Sequence, residues 1–411
     1  MGDEDDTSIA PEITFPSSVR YTLKHELGRG GMGIVFKAER NACGVTDEIV
    51  LKTVVSISEQ YLKRLKKEAN IATALRHENI VKTYGLESIS VSKLPSGFKN
   101  QVEGLESGVR ETMQEVRRRR LNKFLDKHDA PGDEVRSDED AVEEEIFLIC
   151  MDYIDGMDLF ELQTFHLERD LLLPVPLVGF IISRMCRALG YAHDSIIHRD
   201  VSPGNILINR HGVCKLTDFG VAVETDEPVN LVVGKAEYMS PEQLRKEQVD
   251  QRSDLFSLGV VAYELLTGVR LFEVPDGMET PEKVEYVRQL HGRSFPPPHK
   301  LRPEIPEVFS DLVHKMISRD PEDRPPDAVR TGDALEQEYL YAEGFGPTNN
   351  SLAAYIELFE SGFDSCSEYQ YKQLQFLNTY ENSSLRRRLA PEKYTEKGRA
   401  LIDNREVELP E

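Results

Sequence analysis

The sequence predicts an α+β protein in two parts, a smaller strand-rich part followed by a larger, mainly helical part. Between residues 21 and 52, short apolar stretches are broken by a glycine cluster and by the turn sequence Asn-Ala-Cys-Gly at 41–44, a pattern typical of β-hairpins. Beyond Leu177 the apolar residues follow helical spacing instead. With 411 residues the chain is too long for one small domain, so we expect two lobes with additional segments.

The strand-rich part is predicted to be a small antiparallel sheet with one helix. Strands are expected at 34–38, 48–52, 80–86 and 146–151. Helical spacing of the apolar residues over 57–75 predicts the helix. The start of the chain, 1–18, is acidic, contains prolines and lacks periodicity, so we expect a flexible arm there.

The segment 88–145 differs in composition from the strands on either side. It has many charges and few large apolar residues, and only 109–124 shows approximate helical spacing. Because an apolar strand follows it directly, we predict an insertion in the small lobe, able to dock a partner or the chain's own tail. Acidic residues flank its arginine run at 117–120, which favours a solvated helix over a targeting or nucleic-acid-binding element.

The helical part is predicted to begin with a long helix from Pro176 or Leu177 to Ala192. A second apolar helix is expected over 253–267, with Ser253 as its N-cap and Gly268 at its end. Further helical stretches are expected at 281–290, 306–318, 326–340, 351–360 and 368–376. The main domain is therefore predicted at 19–340, followed by a helical C-terminal extension at 341–411.

Composition excludes several classes of protein. The formal net charge of −22 argues against unspecific binding of nucleic acid or anionic lipid. Five cysteines without a CxxC pair make a disulfide framework or zinc site improbable and indicate a reducing, cytoplasmic location. No stretch is expected to span a membrane, and the acidic N-terminus does not resemble a signal peptide.

A glycine-rich segment and a lysine point to phosphate binding. Residues 28–35 read GRGGMGIV and place Gly28, Gly30 and Gly33 where main-chain N–H groups can approach phosphates. A dinucleotide-binding fold has a similar pattern, but a helix follows its glycines, whereas a strand follows here. Lys52 at a strand end and Glu68 on the next helix are each typical surface residues, yet together they permit an ion pair that holds the lysine on phosphates.

The segment 198–207 carries the most specific signal. It reads HRDVSPGNIL, which places Asp200 and Asn205 five residues apart in a loop beside apolar strands. Asp-Phe-Gly follows at 218–220 and Tyr-Met-Ser-Pro-Glu at 238–242. Each motif alone is ordinary, but chance does not produce this ordered set.

Taken together, these motifs resemble those of the eukaryotic-like (Hanks-type) serine/threonine protein kinase family over about 20–87 and 146–338. The spellings HRDVSPGN and GKAEYMSPE are similar to those of bacterial members. The resemblance implies a bilobal kinase fold, with a small antiparallel lobe containing one helix and a larger, mainly helical lobe. It also implies that ATP and Mg²⁺ (or Mn²⁺) bind, and that the hinge between the lobes lies near 151–157.

The resemblance assigns roles to matching residues. Asp200 would accept or orient the proton of the substrate hydroxyl, Lys52 paired with Glu68 would contact the α- and β-phosphates, and Asn205 and Asp218 would ligate the metal. Residues expected to contact the nucleotide are Leu27, Gly28, Gly30, Gly33, Val35, Val50, Lys52, Met151, Asp152, Tyr153, Ile154 and Leu207. Three further residues would be structural: Glu242 paired with Arg324, and Asp254 holding the main chain of the catalytic loop.

Two positions depart from the family pattern. The lysine usual two residues after the catalytic aspartate is Ser202, and the threonine usual before the Tyr-Met-x-Pro-Glu segment is Lys235. We hypothesise that the two side chains have exchanged roles and that Lys235 supplies the catalytic cation. The alternative is a solvated Lys235 in a slow or inactive enzyme.

Thr225 is the one Ser or Thr between Asp218 and Lys235. Acidic residues beside it are able to pair with Arg199 without phosphorylation, so we expect weak dependence on Thr225 phosphorylation; a merely solvated acidic loop is the alternative.

The sequence therefore predicts an ATP-dependent serine/threonine protein kinase acting on protein substrates in intracellular signalling. The main alternative is a nucleotide-binding pseudokinase that acts as an interaction module. A small-molecule kinase fits less well because such enzymes generally lack the segment ending at Glu242. Tyrosine specificity stays open, because Ser202 replaces the usual serine/threonine marker.

Overall fold

The computed structural model describes residues 12–14, 19–30, 33–55, 66, 69–90, 145–169, 171–219, 235–275, 277–278, 280–344, 346–361 and 367–374. The chain forms two compact units. The small unit comprises Met1–Thr73 and Lys82–Tyr153, and the large unit comprises Ala74–Val81 and Ile154–Glu411. Two units, one built on a sheet and one mainly helical, agree with the predicted α+β, bilobal fold.

The small unit contains a six-stranded antiparallel sheet. Its strands are β1 (Glu12–Thr14), β2 (Val19–Gly30), β3 (Gly33–Ala42), β4 (Val45–Val55), β5 (Thr83–Ser90) and β6 (Glu145–Asp152). They lie side by side in the order β1-β2-β3-β4-β6-β5. The hairpins predicted at the glycine cluster and at 41–44 are confirmed, since Gly30 pairs with Gly33 and Ala42 pairs with Val45.

Strand alternation decides which side chains form the core of this sheet. Ile34, Phe36 and Ala38 on β3 are buried, as are Ile49 and Leu51 on β4. The residues between them point to the opposite face, because successive side chains of a strand alternate. The pattern therefore separates an apolar core face from a second face.

Three predictions for the small unit need correction or lie outside the described residues. The strand expected at 80–86 begins later, at Thr83, because Ile80 instead forms an isolated bridge with Leu216. The arm prediction is wrong for Glu12–Thr14, which pairs with β2 and so gains main-chain hydrogen bonds. Of the helix predicted at 57–75, residues 69–74 are helical, and most of the remainder lies outside the described residues.

The insertion begins and ends at neighbouring strands. Ser90, the last residue of β5, pairs directly with Glu145, the first residue of β6. Residues 91–144 therefore leave and rejoin the sheet at one paired position, so the hairpin tolerates them without a change in register. Their own structure, including the helix predicted at 109–124 and the run 117–120, lies outside the described residues.

The large unit has a small sheet and ten helices among its described residues. The strands are β7 (Gly156–Asp158), β8 (Ile206–Asn209) and β9 (Cys214–Leu216), paired in that order. The helices are α1 (Leu159–Leu167), α2 (Val175–Ala192), α3 (Pro241–Arg245), α4 (Arg252–Thr267), α5 (Thr280–Leu290), α6 (Pro298–Leu301), α7 (Glu307–Met316), α8 (Ala328–Leu335), α9 (Asn349–Glu360) and α10 (Glu368–Leu374). A π-helical turn, Glu336–Leu340, extends α8.

Two buried helices form the core of the large unit. In α4 every residue from Ser253 to Leu266 is buried, and Gly268 ends the helix in the left-handed region at φ 71°, as predicted. The N-cap prediction for Ser253 is wrong: the helix begins at Arg252 after Gln251, and the Ser253 hydroxyl donates to Glu242 instead.

Helix α2 corrects the statement that no stretch could span a membrane. Its 18 residues have a mean hydropathy of 1.2, which suffices by length and composition, yet 78% of them are buried inside the protein. A core helix of a folded domain satisfies the same test, and burial on nearly all sides accounts for the apolar composition.

The C-terminal extension packs on the large unit. Tyr355 on α9 donates from its hydroxyl to His166 Nε2 on α1 at 2.8 Å. The His166 ring also stacks on Phe359, with 4.0 Å between ring centroids and 4° between planes. The neighbouring Leu352 and Leu358 are fully buried. Residues 349–360 are thus part of the folded unit.

Candidate active site

The catalytic loop, residues 198–205, is held by a buried aspartate on α4. Asp254 accepts the main-chain N–H groups of His198 at 2.8 Å and Arg199 at 2.7 Å, which confirms its predicted anchoring role. Arg199 takes the left-handed φ of 66°, unusual for a bulky residue. Its carbonyl accepts from Gln243 Nε2 at 2.9 Å, so both peptide groups around the strained residue are fixed.

Asp200 and Asn205 lie in direct contact inside this loop. Asn205 Nδ2 donates to the main-chain oxygen of Asp200 at 2.7 Å and to its Oδ2 at 2.9 Å. The short 3-10 turn Pro203–Asn205 brings the two residues together. Because Nδ2 donates both hydrogen bonds, the Oδ1 of Asn205 is the side-chain oxygen left to coordinate a cation.

Two main-chain contacts hold Asp218 next to this loop. Thr217, directly before it, donates its N–H to the carbonyl of Asn205 at 2.9 Å. His198 Nε2 donates to the carbonyl of Thr217 at 2.9 Å. Asp218 itself adopts a positive φ of 67°, which turns the chain at this point. The structure therefore brings Asp200, Asn205 and Asp218 into one neighbourhood.

The electrostatics of this neighbourhood favour a bound cation. Burial raises the pKa of Asp200, and the Asp218 carboxylate raises it further, while His198 and Asn205 act in the opposite direction. Two carboxylates close together repel each other, and a divalent cation between them relieves that repulsion.

The donor set fits Mg²⁺ together with a phosphate ligand. Asn205 and Asp218 offer oxygen donors, the type that Mg²⁺ prefers. Within the part of the chain that the structure describes, no group of three or more His, Cys, Asp or Glu side chains is placed to hold a metal. Mg²⁺ usually binds through one or two protein carboxylates and completes its shell with water and substrate phosphates, so two protein donors suffice.

Lys235 lies against the catalytic loop. Its main-chain N–H donates to Asp200 Oδ1 at 3.2 Å, and its Nζ donates to Ser202 Oγ at 3.3 Å. The two positions at which the sequence departs from its family are therefore in contact. The catalytic role of Lys235 stays a prediction.

The predicted pair of Glu242 and Arg324 is confirmed. Arg324 Nη1 and Nη2 donate to the two carboxylate oxygens of Glu242 at 2.7 and 2.8 Å. Burial raises the pKa of Glu242, but the Arg324 hydrogen bonds and charge outweigh that effect and hold the pKa below its usual value. The pair fixes α3, which begins directly after Ser240.

In the small unit, four of the predicted nucleotide-binding residues share one sheet face. Val35 pairs with Lys52 on the neighbouring strand, and Val50 pairs with Met151. All four alternate with core residues and so lie on the face opposite the apolar core. Ile149 pairs with Lys52 and lies on the same face, although we did not predict it; strand alternation from Met151 would have identified it.

The predicted hinge coincides with the division between the units. The small unit ends at Tyr153 and the large unit continues at Ile154. On the small-unit side, Asp152 accepts from the Tyr84 hydroxyl at 2.6 Å, and Lys37 Nζ lies 4.0 Å from the centre of the Tyr153 ring. These contacts fix the end of β6.

The remaining predicted residues are distributed as follows. Leu27 on β2 is exposed, and Gly28 on the same strand pairs with Val35. Leu207 on β8 is half-buried in the large unit. Glu68 and Thr225 lie outside the described residues, so the Lys52–Glu68 pair and the role of Thr225 stay predictions.

Two residues beside the catalytic loop were missed. Gln243 holds the Arg199 carbonyl, and no sequence signal distinguishes it from an ordinary helix residue. Gly204 lies within the 3-10 turn, where a Cβ would come 2.9 Å from Lys235 Nζ. A glycine inside a recognised motif is a signal that sequence analysis can use.

Comparison with known proteins agrees with this geometry. A model of the protein kinase domain matches residues 134–340, half of the chain. The tyrosine-protein kinase MasK of Myxococcus xanthus is 28% identical over 356 residues, which cover 82% of this chain and 46% of MasK. The serine/threonine-protein kinase PknB of Mycobacterium leprae is 30% identical over 315 residues, or 75% of this chain and 41% of PknB.

A third relative, the serine/threonine-protein kinase PrkC of Bacillus subtilis, is 27% identical over 318 residues, covering 74% of this chain and 38% of PrkC. The chain thus spans less than half the length of these relatives. The match to the protein kinase domain nevertheless covers half of this chain, including residues 198–205, and the chain belongs to the protein kinase family.

Proposed function

We propose that the chain transfers the γ-phosphoryl group of ATP to serine or threonine hydroxyls of proteins. The observation that carries this proposal is the contact of Asn205 Nδ2 with the main-chain oxygen and the Oδ2 of Asp200, next to Asp218, in a protein kinase domain. A carboxylate held in this way, beside donors for a divalent cation, is the arrangement that phosphoryl transfer requires.

The transfer is a single displacement at phosphorus. The acceptor hydroxyl oxygen forms a bond to the γ-phosphorus while the bond to the β–γ bridging oxygen breaks, so ADP leaves with that electron pair. Asp200 orients the hydroxyl and receives its proton. Lys52 binds the α- and β-phosphates, with Glu68 as its partner, and the main chain at Gly28, Gly30 and Gly33 covers the phosphates.

Asn205 and Asp218 would hold the metal ion, Mg²⁺ or Mn²⁺. Bound there, it would neutralise charge that develops on the phosphate oxygens. The adenine would lie against Val35, Val50 and Leu207, with Leu27 beside it and the main chain of 151–154 as its hydrogen-bonding partner.

The organisation of the chain is part of the proposal. The catalytic domain would occupy 19–340, preceded by a segment in which Glu12–Thr14 adds a strand to its sheet, with 91–144 as an insertion that docks a partner and 341–411 as an extension. We place its action in cytoplasmic signalling, without nucleic acid or membrane as a partner; four described cysteines are free thiols, as a reducing compartment would leave them.

Transfer to tyrosine is the second candidate. The relative MasK is named a tyrosine-protein kinase, and Ser202 occupies the position at which serine/threonine kinases usually have lysine. Serine/threonine transfer is preferred because the other two relatives described above are named serine/threonine kinases.

A transfer assay with labelled ATP tests the proposal. The purified chain is incubated with γ-labelled ATP, Mg²⁺ and dephosphorylated casein, and the labelled residues are identified by phospho-amino-acid analysis and mass spectrometry. Label on serine or threonine, absent in Asp218→Ala, supports the proposal, and label on tyrosine alone supports the second candidate. ATP binding without any transfer would identify a pseudokinase and overturn both.

A further inference from the structure

Lys235 contacts the catalytic loop at both ends of the residue. Its main-chain N–H donates to Asp200 and its ammonium donates to Ser202, 3.2 and 3.3 Å away. Ser202 is fully buried, whereas Lys235 is exposed. The ammonium thus has a buried protein partner, although the residue that carries it is exposed as a whole.

Gly204 provides the space for this ammonium. A Cβ added at Gly204 would lie 2.9 Å from Lys235 Nζ, which, apart from the neighbouring residues of the turn, is the one heavy atom of the described residues within 4 Å of that position. An alanine there would displace the flexible tip of the lysine, at little cost to the fold. Ser202 thus holds the ammonium by a hydrogen bond, and Gly204 leaves space for it because it has no side chain.

The site needs a positive charge at this place. Asp200 and Asp218 are two acidic side chains that the contacts of Asn205 and Thr217 hold in one neighbourhood. A transferring phosphoryl group adds further negative charge, and a protein cation held near the transferring oxygens offsets the repulsion. Position 202 of the loop is a neutral serine and cannot supply that charge.

We propose that Lys235 binds the transferring phosphoryl group, and that Ser202 and Gly204 position its ammonium for this role. The inference rests on the proposed kinase function. Lys235 directly precedes the turn Ala236–Tyr238, and the contacts of this turn hold the lysine next to the loop. Tyr238 docks the turn, since its hydroxyl donates to Glu264 at 2.9 Å and its carbonyl accepts from Ser257 at 2.7 Å.

An exchange of side chains tests the positioning. Lys235→Thr should lower kcat by about 100-fold while the KM for ATP changes little, because the interaction forms in the transition state. Ser202→Lys alone places two ammonium groups in one space and should also be impaired. The double variant Ser202→Lys/Lys235→Thr should recover at least about tenfold over Lys235→Thr, since a lysine at 202 regains access to the vacated space.

Binding measurements add a readout that does not depend on turnover. Calorimetry with ADP, Mg²⁺ and fluoroaluminate, which mimics the transferring phosphoryl group, should show weaker binding to Lys235→Thr, while ADP alone binds as in the wild type. Gly204→Ala should lower kcat by about tenfold with an unchanged melting temperature, because it displaces the ammonium and nothing else. Lys300→Thr is the matched control, because Lys300 is exposed; it should leave both kcat and the binding of ADP with fluoroaluminate unchanged.

The outcomes separate the two proposals. No transfer by the wild type would overturn the proposed function. Wild-type transfer with an unchanged rate in Lys235→Thr would overturn the role of Lys235 alone, as would loss of activity in Lys235→Thr without weaker fluoroaluminate binding. If Lys235→Thr fails to fold, an unchanged kcat in Gly204→Ala would overturn the inference in its place.

Discussion

Arg324 donates two hydrogen bonds to Glu242, from Nη1 to Oε1 at 2.7 Å and from Nη2 to Oε2 at 2.8 Å. Their side chains are 0% and 4% exposed, respectively, so solvent cannot replace either partner. The Ser253 hydroxyl and the carbonyls of Arg252, Ser318 and Arg319 complete the network. It links α3, α4 and the segment before α8.

Arg324→Ala should destabilise the large unit by roughly 3–5 kcal/mol, because it leaves the Glu242 carboxylate buried without its charge partner. Urea unfolding followed by far-UV circular dichroism measures the change. Arg330→Ala is the control, because the Arg330–Asp327 pair is exposed and should contribute less than about 1 kcal/mol. Equal shifts in the two variants would contradict the prediction.

Asp200→Asn should lower kcat by about 10²–10⁴, because the amide cannot receive the proton of the acceptor hydroxyl. Stability should change by no more than about 1.5 kcal/mol, since the asparagine oxygen still accepts from the Lys235 N–H and only the hydrogen bond from Asn205 to Oδ2 is lost. Transfer rates and urea unfolding are measured on the same preparation. The exposed Asp311→Asn serves as control. A kcat close to that of the wild type would rule out Asp200 as the proton acceptor.

Protonation of His166 should make the large unit less stable at mildly acidic pH. Burial lowers its pKa from 6.5 to about 4, and its Nδ1 donates to the Leu162 carbonyl while Nε2 accepts from Tyr355. The unfolded chain therefore binds a proton that the folded chain does not. The free energy of unfolding that depends on keeping His166 neutral is fully present above pH 6.5. It falls as the pH drops towards 4, and the total loss is roughly 3 kcal/mol, because one pKa unit corresponds to about 1.4 kcal/mol.

Unfolding measured at pH 7 and pH 5 checks this dependence. His166→Gln should lose less stability between the two values than the wild type, because glutamine does not titrate. His291, whose pKa burial also lowers to about 4, will retain a similar dependence in that variant. The exposed His211→Gln should behave like the wild type. If stability depends on pH equally in His166→Gln and in the wild type, His166 does not cause the dependence.

Gly212→Ala should loosen the C-terminal extension. Gly212 has φ 72°, and a Cβ there would lie 1.9 Å from the Asn349 carbonyl oxygen at the start of α9. Gly344→Ala is a matched control, because Gly344 has φ 83° but no atom of the described residues, its chain neighbours aside, lies within 4 Å of a Cβ there. In both variants an alanine takes a left-handed backbone conformation, which costs about 1 kcal/mol. A larger loss of unfolding free energy in Gly212→Ala than in Gly344→Ala therefore measures the contact with α9.

Hydrogen exchange of the α9 amides locates that loss. In Gly212→Ala the amides around Tyr355 should exchange faster than in Gly344→Ala, because α9 opens more often. Similar exchange in both variants would mean that α9 does not depend on its contact with Gly212.

Sequence patterns identified the elements of the fold but not their ends. The alternation in β3 and β4 and the long apolar run of α4 were sufficient, because burial of one face leaves a periodic trace. Ser253 was misassigned as an N-cap because its actual partner, Glu242, comes from another helix. Likewise, nothing in residues 1–18 indicated that Glu12–Thr14 would pair with β2.

Sequence motifs identified the protein kinase family and predicted that Asp200, Asn205 and Asp218 carry its chemistry, because phosphoryl transfer needs specific groups at specific spacings along the chain. Tertiary structure alone decided that Lys235 reaches Ser202, that Gly204 leaves space for its ammonium, and that α9 completes the large unit at His166. These contacts join residues far apart in the chain, and folding selects them by packing and hydrogen bonding rather than by local pattern.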